Sequence, residues 1–304
     1  MGIAILSGII TSLKDITSGD ASASQSDQLP PKLPSKFIAC VRRPESAKRI
    51  QSSVPDTQFV TTLVNENVKG VQVADVVLLG CKPYMFKDIL KAPGIKEALA
   101  GKLLISILAG VTSDQIEQEL YGNVWTPSSP DQQYPSDRCR PVRAMPSTAS
   151  FVRESMTVIA TSTPPLPDAQ MSLVNWIFTR VGRTVQLAPS QMDASTALCG
   201  SGPAFVALVL EALADGAVAM GLPRAEAQMM AAQTMRGASA LVLNGEHPAV
   251  LKDKVSTPGG CTIGGLMVLE EGSVRGTVAR AVREATVVAS QLGKGATNVN
   301  GTRW

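Results

Sequence analysis

The stretch DASTALCGSGPAFVALVLEALADGAVAMGLPRAEAQMMAAQT, Asp193 to Thr234, decides how the C-terminal part of this chain folds. From Pro203 to Met220 it is apolar on nearly every side over helical length, and Gly221-Leu222-Pro223 stops it. The pattern predicts a second helix over Arg224–Leu243, a third after Pro258-Gly259-Gly260 and a fourth over Ser273–Leu292. A helix that is apolar all round has to be buried. Four of them within residues 189–304 cannot all be buried in one small bundle, so an intertwined homodimer is expected.

Upstream of Pro189 the character changes to alternating helix-like and strand-like segments. Gly2 to Leu13 has apolar residues at helical spacing (Ile3, Ile5, Leu6, Ile9, Ile10, Leu13). Residues 17–35 have no periodicity and read as a solvated loop. Lys36–Val41, Val73–Leu79, Leu103–Leu108 and, more weakly, Met156–Ala160 read as buried strands, with a helix starting at Arg43 and a turn at Lys82-Pro83. Such alternation argues for a parallel sheet covered on both faces. Thr126–Asp137, polar and Pro-rich, reads as an insertion. The predicted domains are 1–188, an α/β unit, and 189–304, all helical.

Composition narrows the function classes. The 304 residues are 44% hydrophobic but only 4% aromatic and 17% charged, with 28 basic against 25 acidic residues and a net charge of +3. That balance, without an aromatic-basic stripe, argues against a nucleic-acid partner. The five cysteines are odd in number and far apart, and a single histidine leaves no zinc constellation, so no metal is expected and reduced cytoplasmic thiols are. The apolar start lacks the basic leader of a signal peptide, and Leu6 stands where a myristoylation motif needs Ser or Thr. No run reads as the roughly 20 apolar residues of a membrane span.

Two glycine-rich stretches could carry chemistry. Cys199-Gly-Ser-Gly-Pro-Ala-Phe205 reads as a hinge between polar and helical sequence. In Ser256-Thr-Pro-Gly-Gly-Cys-Thr-Ile-Gly-Gly265, paired glycines leading into a helix leave backbone N–H groups free, and Thr262 adds a hydroxyl. That combination can hold a carboxylate or phosphate; tight packing of a helix start on a neighbour is the plainer alternative.

These residues resemble a known family. Asp193–Thr234 and His247–Glu270 are similar to the dimerisation domain of pyrroline-5-carboxylate reductases, and so are Val142–Ala160 and Gly80-Cys81-Lys82-Pro83 to other parts of that family. The resemblance runs from Gly2 to about Glu284, interrupted at 16–35 and 126–140. It implies a Rossmann-type domain followed by a helical domain swapped between two subunits, such dimers being often assembled into rings. It also implies NAD(P)H-dependent reduction of the C=N bond of pyrroline-5-carboxylate to proline. By the same comparison Gly259, Gly260, Cys261 and Thr262 hold the substrate carboxylate. Glu246 is a further candidate at the interface site, and Thr262 or a bound water would hydrogen-bond the ring nitrogen. His247, at a helix-to-loop corner, reads as structural.

The cofactor residues follow the family pattern. The strand ending at Val41 delivers Arg42 and Arg43 to the place of the adenosine ribose, where an acidic residue would favour NAD. Guanidinium groups favour the 2′-phosphate, so NADPH is expected ahead of NADH; two solvated arginines are the alternative. Asn67, Gly80, Cys81, Lys82 and Pro83 match cofactor contacts, and Ile107, Leu108 and Ala109 match the loop beside the nicotinamide. Cys199 and Cys261 replace the family's usual serine and its threonine or alanine. They read as packing changes that could also reshape the pocket for a methylated ring, which makes a paralogue of specialised metabolism the enzyme alternative. A cofactor-defective structural homologue is the non-enzyme alternative.

Met1-Gly-Ile-Ala-Ile-Leu-Ser-Gly8 resembles the last turn of a dinucleotide fingerprint, with Gly2 as its third glycine. The first strand and two glycines are missing. The expectation is a native start some 8–15 residues earlier, enough for a strand and two glycine positions.

Overall fold

The computed structural model describes residues 1–18, 29–54, 56–129 and 132–293. Contacts divide it into two compact units, Met1–Gly200 with the stretch from Thr286, and Ser201–Ala285.

The first unit contains α1 (Gly2–Ser18), β1 (Phe37–Val41), α2 (Pro44–Ser53), β2 (Val60–Val64), α3 (Asn67–Val73), β3 (Val76–Leu79), α4 (Phe86–Leu90) and α5 (Ile95–Leu99). It continues with β4 (Leu103–Ser106), α6 (Ser113–Tyr121), β5 (Arg140–Met145), β6 (Ser155–Ala160), α7 (Asp168–Thr179), β7 (Gly182–Leu187) and α8 (Met192–Ser195). Local chemistry sets several boundaries. Pro44 opens α2 with its fixed φ. Thr112 and Gln115 cap α6 reciprocally, and Gly122 closes it at φ 73°.

The strands form a β1–β2 pair and a five-stranded sheet in the order β3-β4-β5-β6-β7. All neighbours are parallel except β5 and β6. The expected parallel sheet is therefore corrected at that pair: only residues 146–154 join β5 to β6, too few for a crossover helix. β4 is buried throughout, as a central parallel strand must be, and Ile105, Val142, Ala144 and Ile159 meet Trp176 and Phe178 of α7 in the main core.

The result is the Rossmann-type domain that the sequence implies, its strands divided between the β1–β2 pair and the β3–β7 sheet. The first helix lies close on the sheet's far end: a Cβ on Gly8 of α1 would meet the Arg180 carbonyl oxygen at 2.9 Å, so only glycine allows this approach to the corner before β7.

The sequence reading omitted β2, β5, β7 and the helices α3 to α8, and it ran the strands at 73–79 and 103–108 too long. Residues 29–36 carry no helix or strand; the rest of the loop expected at 17–35 begins with the end of α1 and then lies outside the described residues over 19–28. The insertion at 126–137 has no helix or strand in its described part, 130–131 lying outside it.

The second unit is helical. α9 (Gly202–Ala219), α10 (Arg224–Leu243) and α12 (Cys261–Glu271) lie where the apolar pattern put them, and α13 (Val274–Gly293) follows. A fifth helix, α11 (Pro248–Val255), lies between α10 and α12. Two further corrections concern its entrance. Thr196–Ser201 is a π-helical turn and not a hinge, so the helix runs on through Gly200. In consequence Pro189–Ala219 forms one helical run containing an 18-residue stretch of mean hydropathy 1.7, long and apolar enough by composition to cross a membrane, although no such run was expected.

Within Ser201–Ala285 only Ala214 and Ala227 are buried. Leu208, Leu213, Met220, Met229, Met230, Met267 and Val268 are exposed by half or more of their surface. One chain thus leaves many large apolar side chains of α9, α10 and α12 uncovered, as surfaces that meet a partner do.

Candidate active site

The α/β unit gathers most of the expected cofactor residues around one cavity of about 2820 Å³. Gly2, Arg42, Asn67, the Gly80–Pro83 loop and Ile107, Leu108 and Ala109 all line it. Their common location follows from topology. Each stands at or just beyond the C-terminal end of β1, β3 or β4, or at the start of α1 or α3, and such ends converge on ligands in open α/β sheets. Arg43 is not among the lining residues. It is the N-cap of α2 instead, its carbonyl accepting from the Ser46 and Ala47 N–H groups.

Two loops show how the backbone is prepared. Leu79 accepts a hydrogen bond from the Ile107 N–H at 3.1 Å, locking the end of β3 to the segment after β4. A Cβ on Gly80 would lie 3.4 Å from Ile107 and Leu78 side-chain atoms, so the loop passes close over its neighbours. Burial pushes the Cys81 thiol above its ordinary range, which keeps it protonated and argues against a nucleophilic role.

Arg49 was not read from the sequence. It lines the same cavity from α2. The Met1 α-amino group is held below its usual pKa by burial, then by the charges of Arg49 and Lys82. Three cationic groups thus neighbour one another at the start of α1. Helix spacing from Arg42 could have found Arg49, since one face of α2 continues the strand's end. Cations gathered at a helix start and a glycine loop fit an anionic dinucleotide.

The expected substrate residues belong to the helical unit. Gly259 has φ 68°, a left-handed conformation that favours glycine. Gly260 is the N-cap of α12, and Cys261 and Thr262 form its first turn with no side-chain cap. The amides of that turn are therefore free for an acceptor. A Cβ on Gly260 would come within 2.4 Å of the Thr257 hydroxyl oxygen, so the turn is also tightly closed on itself.

Glu246 is placed differently. Its carboxylate takes both oxygens to Lys254 Nζ, at 2.7 and 2.9 Å, and it lines a small recess with Asn244, Gly245, His247 and Val250. None of Gly259–Thr262 lines that recess. His247 is the N-cap of α11, Nδ1 accepting from the Ala249 N–H at 3.3 Å, which is a structural task. Cys199 packs beside Met145, Val158 and Met192, and burial raises its pKa.

Comparison with known proteins accounts for both units. A family model described as pyrroline-5-carboxylate reductase dimerisation matches residues 189–292. A second, described as NADP oxidoreductase coenzyme F420-dependent, matches residues 3–110. A pyrroline-5-carboxylate reductase of Lophium arboricola is 64% identical over 100% of this chain and 94% of its own length. That of Neurospora crassa is 55% identical over 100% of this chain and 93% of its own. Among solved structures, a pyrroline-5-carboxylate reductase from Coxiella burnetii superposes with a TM-score of 0.73 at 27% identity, over 95% of both chains. A Plasmodium falciparum pyrroline carboxylate reductase with NADP bound gives 0.69 at 25% identity, over 88% of this chain and all of that one. Identity of this extent, across both units, shows that the chain belongs to the pyrroline-5-carboxylate reductase family.

Proposed function

We infer that this chain reduces 1-pyrroline-5-carboxylate to L-proline with NADPH, the last step of proline biosynthesis. One observation carries the reading: the cavity at the ends of β1, β3 and β4 brings Arg42, Asn67, Gly80–Pro83 and Ile107–Ala109 onto a single surface. The cofactor, when bound, supplies the hydride. Gly80–Pro83 and Asn67 hold its body, Arg42 and Arg49 its phosphates, and Ile107–Ala109 its nicotinamide side. The relatives point the same way, since one matching family model names NADP and one solved structure holds it.

The other half of the reaction is assigned to the helical unit. Gly259, Gly260, Cys261 and Thr262 take the substrate carboxylate on the open first turn of α12. Thr262 is also the catalytic candidate, its hydroxyl taken to hydrogen-bond the ring nitrogen of the imine as hydride reaches the imine carbon. A protonated cyclic imine is already electrophilic, so orientation does most of the work. Glu246 would join this site only by releasing Lys254. The functional division is taken at 188/189, where the dimerisation match begins.

The exposed apolar helices of the second unit make a homodimer the working form, with rings of dimers a natural extension. A cytoplasmic location suits five free thiols. Assay of purified chain with NADPH and pyrroline-5-carboxylate should yield proline in step with NADPH consumed. A higher kcat/KM for a methylated pyrroline carboxylate would favour the specialised paralogue instead. Dimers without turnover or NADPH binding would favour the structural homologue.

A further inference from the structure

The segment between α6 and β5 contributes no residue to the cofactor cavity. It enters β5 at Arg140, the start of that strand, whereas the cofactor residues gather where the parallel β3 and β4 end. One buried carboxylate anchors it. Glu117 of α6 is 6% exposed; its Oε2 accepts the Trp125 N–H at 2.7 Å and its Oε1 accepts the Tyr134 O–H at 2.6 Å. The Trp125 and Tyr134 rings meet edge to face, 4.9 Å between centroids. Both arms of the segment therefore hang on the same acceptor.

Directly after Trp125 stands Thr126-Pro127. Thr126 is exposed, and residues 124–127 form neither helix, strand nor turn. Proline holds the residue before it extended, and phosphoryl transfer needs an accessible hydroxyl in line with the transferring group. Other hydroxyls nearby in sequence or followed by proline are more constrained. Thr257 lies in a closed turn, its carbonyl accepting the Gly260 N–H at 3.0 Å. Thr163 precedes Pro164, whose carbonyl is held by the Arg140 guanidinium. Ser128 is tied to Gln132 Oε1 through its N–H at 2.6 Å and its hydroxyl at 2.9 Å, and the Ser129 carbonyl accepts the Gln132 N–H at 3.1 Å.

We propose that Thr126 is a phosphorylation site for a proline-directed protein kinase, and that the phosphate releases the segment from Glu117. The γ-phosphoryl group of a nucleoside triphosphate passes to Thr126 Oγ1. The new O–P bond forms as the bond to the nucleoside diphosphate breaks, and the kinase's base takes the hydroxyl proton. The product carries a charge of about −1.5 to −2, next in sequence to the N–H that the Glu117 carboxylate holds. The two anions repel, and the phosphate is the one free to stay hydrated, so the buried tether gives way. Arg138, the segment's own arginine, is already engaged, bonding Asn123 Oδ1 at 2.8 Å with its guanidinium 4.6 Å from the Tyr121 ring centroid.

The test treats the full chain, its Thr126→Ala variant and its Glu117→Gln variant with a proline-directed serine/threonine kinase, magnesium and ATP. Peptide mass analysis should find most of the phosphate on Thr126 of the native chain, and almost none on the Thr126→Ala chain. Amide exchange at Trp125 should then speed up about tenfold or more in the phosphorylated native chain. Glu117→Gln removes the repelling charge but keeps a carbonyl acceptor, so its exchange should change less than about threefold on phosphorylation. No phosphate on Thr126 of the folded chain would overturn the proposal, even if the unfolded chain accepts it. So would phosphate placed mainly on Ser129, Thr163 or Thr257, unchanged or slower exchange at Trp125, or equal acceleration in Glu117→Gln. No readout depends on turnover, so the outcome is independent of the proposed reaction.

Discussion

Arg143 of β5 and Asp193 of α8 form an ion pair at 3.3 Å, with Arg143 only 4% exposed and Asp193 35%. Arg143 Nε has no other partner, and burial lowers the pKa of its guanidinium. The pair ties the second half of the sheet to a short helix at the start of the stretch that the dimerisation model matches. It fixes where the chain leaves the α/β unit.

Removing the anion should therefore cost more than an ordinary surface pair. Asp193→Asn leaves a buried cation uncompensated, and a loss of about 2 kcal/mol is expected after allowing for the exposed aspartate. Arg143→Met combined with Asp193→Asn should lose less than the sum of the single changes. Urea denaturation of the three variants measures this.

A second pair tests how closely α3 lies on β1. Gly70→Ala should destabilise by about 1–3 kcal/mol, because its Cβ would overlap Cys40 Sγ. Cys40→Ala removes that sulfur and should restore more than half of the loss. Thermal melts of both singles and the double variant would show it; an undiminished loss in the double variant would place the strain elsewhere.

Arg42 lines the cavity and Arg43 does not, so their replacement should differ. Arg42→Ala should raise KM for NADPH about 10–100-fold, the worth of a charge-assisted contact to phosphate, with little change for NADH. Arg43→Ala should change either value by less than about threefold. Steady-state kinetics with both cofactors decides between them.

Alkaline pH should weaken the fold through Cys139. Burial raises this thiol from 9.0 to about 11. Between those values the unfolded chain has lost the proton and the folded chain keeps it, so stability falls as pH rises from 9 to 11. A shift of this size corresponds to about 2–3 kcal/mol. Cys139→Ala should flatten the part of the profile between pH 9 and 10, read by urea midpoints at each pH.

The helical unit predicts its own assembly. Leu208 is 67% exposed on the single chain. If it lies in the dimer interface, Leu208→Arg should shift the molar mass from dimer to monomer by light scattering while helical circular dichroism is retained.

Much of this was legible because the informative segments are periodic. α10 falls at Arg224–Leu243, as its apolar pattern and the Pro223 and Gly245 boundaries require. What was missed has physical causes. β5 reads as RPVRAM, and its arginines mask a strand whose charge is neutralised by Asp193, a residue 50 positions away. β7 is an edge strand whose exposed residues, Arg183, Val185 and Gln186, mix apolar with polar, so no hydrophobic alternation marks it. The Gly-Ser-Gly run looked like a hinge because glycine content cannot distinguish a loop from a π-helical turn. At the candidate site the cofactor loops were readable from motifs, but Arg49 needed the helix to be placed. Lys254's hold on Glu246 needed α11, which the sequence reading did not contain.

The most direct test is a stopped assay of the full chain with 1-pyrroline-5-carboxylate, following NADPH absorbance and proline together, with NADH in parallel. The account predicts one proline formed per NADPH consumed, and a larger kcat/KM with NADPH than with NADH. No proline above the no-enzyme background, from a chain that is folded and dimeric, would contradict it.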